Sequence, residues 1–311
     1  MRRAIAVIAL LTLVASLAAC ARLRVDPPAP SPATAGAPVG KSEHQLTVDG
    51  HDRSYRLYVP AHPSAPAALV VMLHGGYGSA QQAEASYGWD RIADEHGVVI
   101  LYPNGDGRAW NAGGGCCGSS ARDGTDDVAF IAAAVADVQK RVSIDAGAVF
   151  AAGMSNGAMM AYRLACETTL FAAIGPVSGT RPVGLECTAP APISVMAVHG
   201  VDDTRVLYDG GASTVGTARI DATAQQDVHA LWARAASCEE DVTTSAPPLT
   251  TETAACPDSR TVQLVSIAGY GHEWPSPDGG STPQGEQVYR GWDATAQLWS
   301  FFDTHRRAAS G

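Results

Sequence analysis

Gly153-Met154-Ser155-Asn156-Gly157 places a serine between two glycines at Gly-x-Ser-x-Gly spacing, after an apolar run and before a helical pattern. Such spacing suits a nucleophile on a sharp strand-to-helix turn, where small flanking residues relieve crowding. It suits an ordinary glycine-rich turn equally well. A serine hydroxyl is a poor nucleophile at neutral pH and needs a base. The motif carries chemistry only if the chain also supplies a base, an acid and an oxyanion site.

In a strand–elbow–helix hydrolase the acid and then the histidine follow the serine in sequence. His199, His229, His272 and His305 all follow Ser155. His229 and His305 fall in helical patterns, where packing or solvent accounts for them. His199 directly ends a strand pattern, with the acids still ahead of it. His272 lies in GYGHEWPSP, a loop bounded by glycine and proline after the last predicted strand, and is read as the base. The strand pattern ISVMAVHG runs into Val201-Asp202-Asp203-Thr204. Asp203 is read as the acid that holds the imidazole's tautomer, and Asp202 as its solvated neighbour. The oxyanion hole needs two fixed N–H donors. Asn156 supplies one from its backbone. LHGGYG supplies the other at Gly76, with Tyr77 as the alternative donor and a cleft residue. Trp274, two residues from His272, is read as an apolar substrate subsite. Trp110 is read with equal weight as substrate contact or packing, and Met159-Met160 as helix core.

Strand patterns over 67–73, 98–102, 148–152, 193–198 and 261–267 are continuous apolar runs, which suit strands buried on both faces of a parallel sheet. A polar alternation over 45–60 about Asp49-Gly50 predicts a β-hairpin. Helices are expected over 80–95, with Ser79 and Gly97 as caps, and over 126–141, with Thr125 as N-cap. Further helices are expected over 157–166, 222–236 and 294–307. Alternating strands and helices give an α/β doubly wound sheet, whose ligands sit beyond the carboxyl ends of the strands. Each candidate group falls at such an end. Asp123, Asp126 and Asp127 are read as helix-start charge, not as a cation site.

The chain begins Met1-Arg2-Arg3, followed by an apolar run that stops at Cys20. This is a signal peptide over 1–19. Leu17-Ala18-Ala19-Cys20 resembles the bacterial lipobox, so lipidation of Cys20 and a membrane anchor are expected, with plain secretion as the alternative. Residues 20–41, rich in Pro, Ala and Ser, read as a tether, and 42–308 as one catalytic domain. Composition is 46% hydrophobic and 17% charged with a formal net charge of −10, which argues against disorder and against nucleic acid as partner. Beyond Cys20 the cysteines are Cys116, Cys117, Cys166, Cys187, Cys238 and Cys256. Local order favours Cys166–Cys187 and Cys238–Cys256 as disulfides, leaving Cys116 and Cys117 to bridge each other or to pair elsewhere. They lack metal-ligand spacing, so no metal is expected.

LHGG, WNAGGGCCG, GMSNGAMMAYRLAC, HGVDDTRVLYDGG and GYGHEWP, in that order, resemble the polyhydroxybutyrate depolymerase and feruloyl esterase family, within it the exported bacterial esterase lipoproteins. The resemblance covers nearly the whole chain beyond the tether. It implies an α/β-hydrolase fold with a mostly parallel central sheet and helices on both faces. It also implies Ser155, Asp203 and His272 as triad, a small or oligomeric carboxylic ester as substrate, and no cofactor. Asp202 stands where a small residue is common, and Gly76 where some members carry cysteine; neither change removes a catalytic group. An acetyl-xylan-type esterase, a peptidase on the same fold and a non-catalytic envelope lipoprotein are the competing readings.

Overall fold

The computed structural model describes residues 37–187, 192–213, 215, 220–278 and 289–307. The expected signal peptide, Cys20 and most of the tether lie outside these residues. Ala37 N–H donates to Arg141 O at 3.2 Å, and the first strand opens at Gly40.

The chain runs β1 (Gly40–Val48), β2 (His51–Val59), β3 (Ala67–Leu73), α1 (Ala80–Ser86), α2 (Trp89–His96), β4 (Val99–Pro103), α3 (Gly118–Arg122), α4 (Asp127–Arg141), β5 (Ile144–Met154) and α5 (Asn156–Glu167). It continues through β6 (Ala173–Val177), β7 (Ser194–Gly200), β8 (Gly211–Ala212), β9 (Asp221–Ala222), α6 (Gln225–Ala235), β10 (Val242–Ala246), β11 (Leu249–Ala255), β12 (Thr261–Ile267) and α7 (Ala294–Thr304). The main sheet has the order β1-β2-β4-β3-β5-β6-β7-β12-β11-β10. From β4 to β12 the neighbours are parallel, and an antiparallel hairpin closes each edge. Strand order reverses about β3, with β4 on one side and β5 on the other, so the crevice expected of a doubly wound sheet opens between β3 and β5.

The period of two along each central strand explains the layers. In β3, Leu69, Val71 and Leu73 join Phe130, Tyr162 and Trp232 on the face covered by α4, α5 and α6. Val70 and Met72 face the other way and join Trp89, Phe150 and Phe302 under α1, α2 and α7. Both faces are apolar, which is why these strands read as unbroken hydrophobic runs.

Several boundaries differ from expectation. The helix expected over 80–95 is broken at Gly88, whose φ of 70° is left-handed. The N-cap of α4 is Asp126, which accepts from Ala129 N–H at 2.9 Å, not Thr125. The edge hairpin β10–β11 was not anticipated; its threonines and serines suit a partly exposed sheet edge and form no apolar run. Cys166–Cys187 and Cys238–Cys256 pair as expected, and Cys116 bonds Cys117. Disulfides persist in oxidising compartments, which marks the chain as exported.

A close backbone approach lies under the serine turn. A Cβ added to Gly157 would lie 2.3 Å from Leu73 O and 2.6 Å from His74 O, and one added to Gly153 would lie 2.3 Å from Gly157 O. Both sets of obstacles are backbone and cannot swing away. Gly157→Ala is expected to lower the unfolding free energy by about 1–3 kcal/mol, read as a lower urea midpoint.

Candidate active site

β5 delivers Ser155 directly from the sheet centre into the first turn of α5. Ser155 has φ 55° and ψ −118°, a conformation that non-glycine residues rarely adopt and that persists only when neighbours enforce it. Ser155 N–H donates to Val177 O at 2.9 Å, and Ser155 O accepts from Met159 N–H at 3.0 Å. The turn therefore pushes the side chain up beyond the sheet. Asn156 then fixes the loop opposite, since its Oδ1 accepts from Trp110 N–H at 2.7 Å and its Nδ2 donates to Trp110 O at 3.0 Å. Sequence reasoning gave Asn156 only a backbone role; the side chain is a clamp as well.

The three widely spaced triad candidates meet. His272 Nε2 lies 2.8 Å from Ser155 Oγ, and His272 Nδ1 lies 2.8 Å from Asp203 Oδ2. An ionised carboxylate only accepts, so Nδ1 carries the proton and Nε2 offers its lone pair to the serine hydroxyl. Asp203 Oδ1 accepts from Arg205 N–H at 2.8 Å and Val206 N–H at 2.9 Å. His199 adds a further donor that sequence reasoning set aside. Its Nε2–H points to Val206 O at 2.8 Å and lies 3.2 Å from Asp203 Oδ2. Burial alone would raise the Asp203 carboxyl, but hydrogen bonds from His199 and His272 outweigh it and hold the group well below the usual carboxylate range. A neutral imidazole poised on a hydroxyl, with its far nitrogen anchored by a fixed anion, can take a proton as the oxygen attacks. Asp202 is exposed, as expected of a solvated neighbour. His229 is held by Asp241 at 2.7 Å, and His305 by Phe301 O at 2.6 Å, each away from the serine.

For the oxyanion donors, Tyr77 N–H is engaged with Arg108 O at 2.8 Å, which removes it as the alternative to Gly76. Gly76 lies beside the elbow, where an added Cβ would sit 3.9 Å from Asn156 Cβ. Gly76, Asn156, Ser155 and His272 all line one cleft of about 690 Å³. His74 supports this loop from below. It is fully buried, its Nδ1–H donates to Gly75 O at 2.8 Å, and its Nε2 accepts from Gly105 N–H at 2.9 Å.

Two expected subsite residues are corrected. Trp110 is completely buried, with Nε1–H donating to His74 O at 2.8 Å, so it packs under the cleft. Trp274 is also buried; its Nε1–H donates to Thr295 Oγ1 at 3.0 Å and its ring packs at a tilt against Tyr87. Backbone geometry turns both indoles inward, which two-residue proximity to His272 could not reveal. Tyr77 is 53% exposed and does line the cleft.

Burial pushes the His74 imidazole from 6.5 down to about 4; the Gly75 carbonyl opposes the shift and the nearby Arg108 charge adds to it. Because the folded state binds this proton later than the unfolded chain, stability present above pH 6.5 is lost as pH falls towards 4. The loss attributable to His74 is up to about 3 kcal/mol across that window. His74→Gln is expected to flatten this part of the stability–pH curve, measured by urea unfolding at pH 7, 5.5 and 4.5.

Residues 53–213 match the sequence profile of the family described as Esterase PHB depolymerase. Among similar proteins, the chain is 32% identical over 317 residues to the putative esterase NocK of Nocardia uniformis subsp. tsuyamanensis, covering 88% of this chain and 89% of that one. It is 31% identical over 172 residues to the probable feruloyl esterase C of Aspergillus flavus, covering 52% of this chain but only 59% of the fungal protein. Among solved structures, an acetyl xylan esterase from Aspergillus awamori superposes with a TM-score of 0.60 at 18% identity, covering 85% of this chain and 99% of that one, which bears on the fold. With its α/β-hydrolase sheet and the match across the serine turn and acid loop, the chain belongs to the PHB depolymerase family of esterases.

Proposed function

We propose that the protein is a serine esterase that cleaves soluble or oligomeric carboxylic esters through an acyl-enzyme, with Ser155 as nucleophile, His272 as base and Asp203 as the acid that orients it. The observation that carries this reading is the continuous relay Asp203–His272–Ser155, with both links at 2.8 Å and its hydroxyl end in the cleft. As Oγ bonds to the ester carbonyl carbon, His272 Nε2 takes the hydroxyl proton and Asp203 stabilises the imidazolium. The amides of Gly76 and Asn156 receive the developing oxyanion. His272 then returns the proton to the departing alkoxide, and water repeats the sequence on the acyl-enzyme. Feruloyl, acetyl and hydroxyacid esters all suit this chemistry.

We further propose that Cys20 is lipidated and that the Pro- and Ala-rich stretch after it tethers the catalytic region to a membrane. The lipobox-like end of the apolar run supports this, together with the oxidised cysteines. His199 is a positioning residue, acting through Asp203.

Ser155→Ala is expected to reduce kcat/KM on 4-nitrophenyl butyrate by at least about three orders of magnitude and to abolish fluorophosphonate labelling. Persistence of either signal assigns the nucleophile elsewhere. His199→Phe removes one donor from Asp203 and is expected to lower kcat about tenfold with little change in KM. Steady-state kinetics on the same ester, with the urea midpoint as a folding control, separate that outcome from general destabilisation.

A further inference from the structure

The cleft is opposite in sign to the molecule that carries it. The chain has a formal net charge of −10, yet among the described residues no aspartate or glutamate lines the cleft, while Arg108, Arg122 and Arg205 do. They come from three different places: the turn after β4, the last turn of α3, and the loop that also carries Asp203. A concave site walled by protein focuses such charge towards a ligand.

Arg108 is the most telling of the three. Its backbone φ is 63°, and it follows Gly107 at φ 56°, where an added Cβ would lie 1.9 Å from Ser119 Oγ. Glycine would be the relaxed choice at position 108 as well, so a long cationic side chain is held there at a conformational cost. Its Nε donates to Gly78 O at 3.3 Å and its Nη2 to Tyr77 O. Both partners are neutral carbonyls, and among the described residues no carboxylate pairs with it. Among the described residues the donors on Nη1 have no partner. Arg122 meets Asp123 through two exposed contacts, Nε to Oδ1 at 3.2 Å and Nη2 to Oδ2 at 3.5 Å, which solvent screens, and among the described residues its Nη1 has no partner.

We propose that the preferred substrates of this cleft are esters that themselves bear a free carboxylate, held by Arg108 and Arg122 while Ser155 attacks the ester carbonyl. The inference rests on the esterase reading and narrows it. A guanidinium matches a carboxylate with two parallel hydrogen bonds, which a neutral alkyl or methyl-ester end cannot return. Acid-ended fragments of a hydroxyacid oligomer have this chemistry, as do hemiesters of dicarboxylic acids.

Two matched pairs test it. Mono-4-nitrophenyl adipate against its methyl ester places the charge on the acyl side, read by nitrophenolate release. 3-Butyryloxybutanoic acid against its methyl ester places it on the alcohol side, read by butyrate release. At low salt, kcat/KM in at least one pair is expected to favour the acid by about tenfold or more. That ratio is expected to shrink towards unity in 0.5 M NaCl and in both Arg108→Gln and Arg122→Gln, where the ratio within each variant cancels any general loss of activity. Arg122 sits on an exposed helix end, so its variant keeps the test valid if Arg108→Gln folds poorly. Turnover of neutral esters with no acid preference in either pair overturns the carboxylate assignment and leaves the esterase reading standing. An acid preference untouched by either substitution overturns the assignment to these arginines. No turnover of any ester, 4-nitrophenyl butyrate included, overturns the esterase reading and this inference with it.

Discussion

The site depends on a missing side chain. α5 begins so close beneath the end of β3 that position 157 has no room for a Cβ between the Leu73 and His74 carbonyls. That approach brings the loop after β3 against the turn after β5, and so Gly76 against Asn156. It also forces Ser155 into a left-handed φ, because the chain must leave the strand and enter the helix within one residue. Such a conformation costs about 1–3 kcal/mol. It is held by hydrogen bonds from Ser155 N–H to Val177 O and from Met159 N–H to Ser155 O, and by the helix that follows. Strain and function share one cause: a serine in a relaxed turn would not stand clear of the sheet.

At the other end of the relay the problem is a buried anion. Asp203 is 3% exposed, and an isolated carboxylate there would protonate sooner than stay charged. Two backbone amides and two imidazoles instead surround it, so that its charge and its orientation are fixed together. The same solution recurs under the cleft. Asp127, fully buried at the start of α4, accepts from Arg53 Nη2 at 2.6 Å, Ser120 Oγ at 2.6 Å and Asn111 N–H at 2.7 Å. Such a carboxylate is weak evidence for stability, since replacing a whole ionic cluster by apolar groups can be neutral. What it does here is tie strand β2, the segment about Asn111 and the start of α4 to one point.

The triad candidates could be read from sequence because each depends on local signals that survive folding. A small-residue turn after a buried strand, an acid after His199-Gly200 and a histidine in a glycine-bounded loop all sit at strand ends, and strand ends are where an apolar run stops. Gly153 and Gly157 were legible for the same reason. The residues that escaped are those whose role is set by tertiary direction. Trp110 and Trp274 were placed near the site correctly along the chain, but which way an indole points is decided by partners such as His74 O and Thr295 Oγ1. His199 looked like the last residue of a strand and nothing more. Its contact to Asp203 exists only because the loop after β7 turns back over the strand end. Asp127 resembled any acid in a helix's first turn until Arg53, from the distant hairpin, met it. The edge strands β10 and β11 were invisible because polar, half-exposed strands lack the continuous hydrophobic signature of the centre.

These observations separate the supports of the site into two. The proposed nucleophile, acid and base stand on the ends of β5, β7 and β12, whose positions the apolar sheet determines. The cleft's charged wall stands largely on the segment between β4 and α4, which carries Arg108 and Arg122. That segment buries Trp110, Ala112, Cys116 and Cys117, and polar contacts fix it as well: Trp110 to Asn156 and His74, Gly105 to His74, and Asn111 and Ser120 to Asp127. The elbow residue Asn156 belongs to both supports, since it lines the cleft beside Ser155 and its side chain grips Trp110. The spacing between the serine and the arginine-bearing wall is therefore tied to the Asn156–Trp110 pair of hydrogen bonds together with the packing of Trp110 and of Cys116 against Met159. Changes within the loop can alter what the cleft accepts while the relay beneath keeps its geometry, provided that grip is kept.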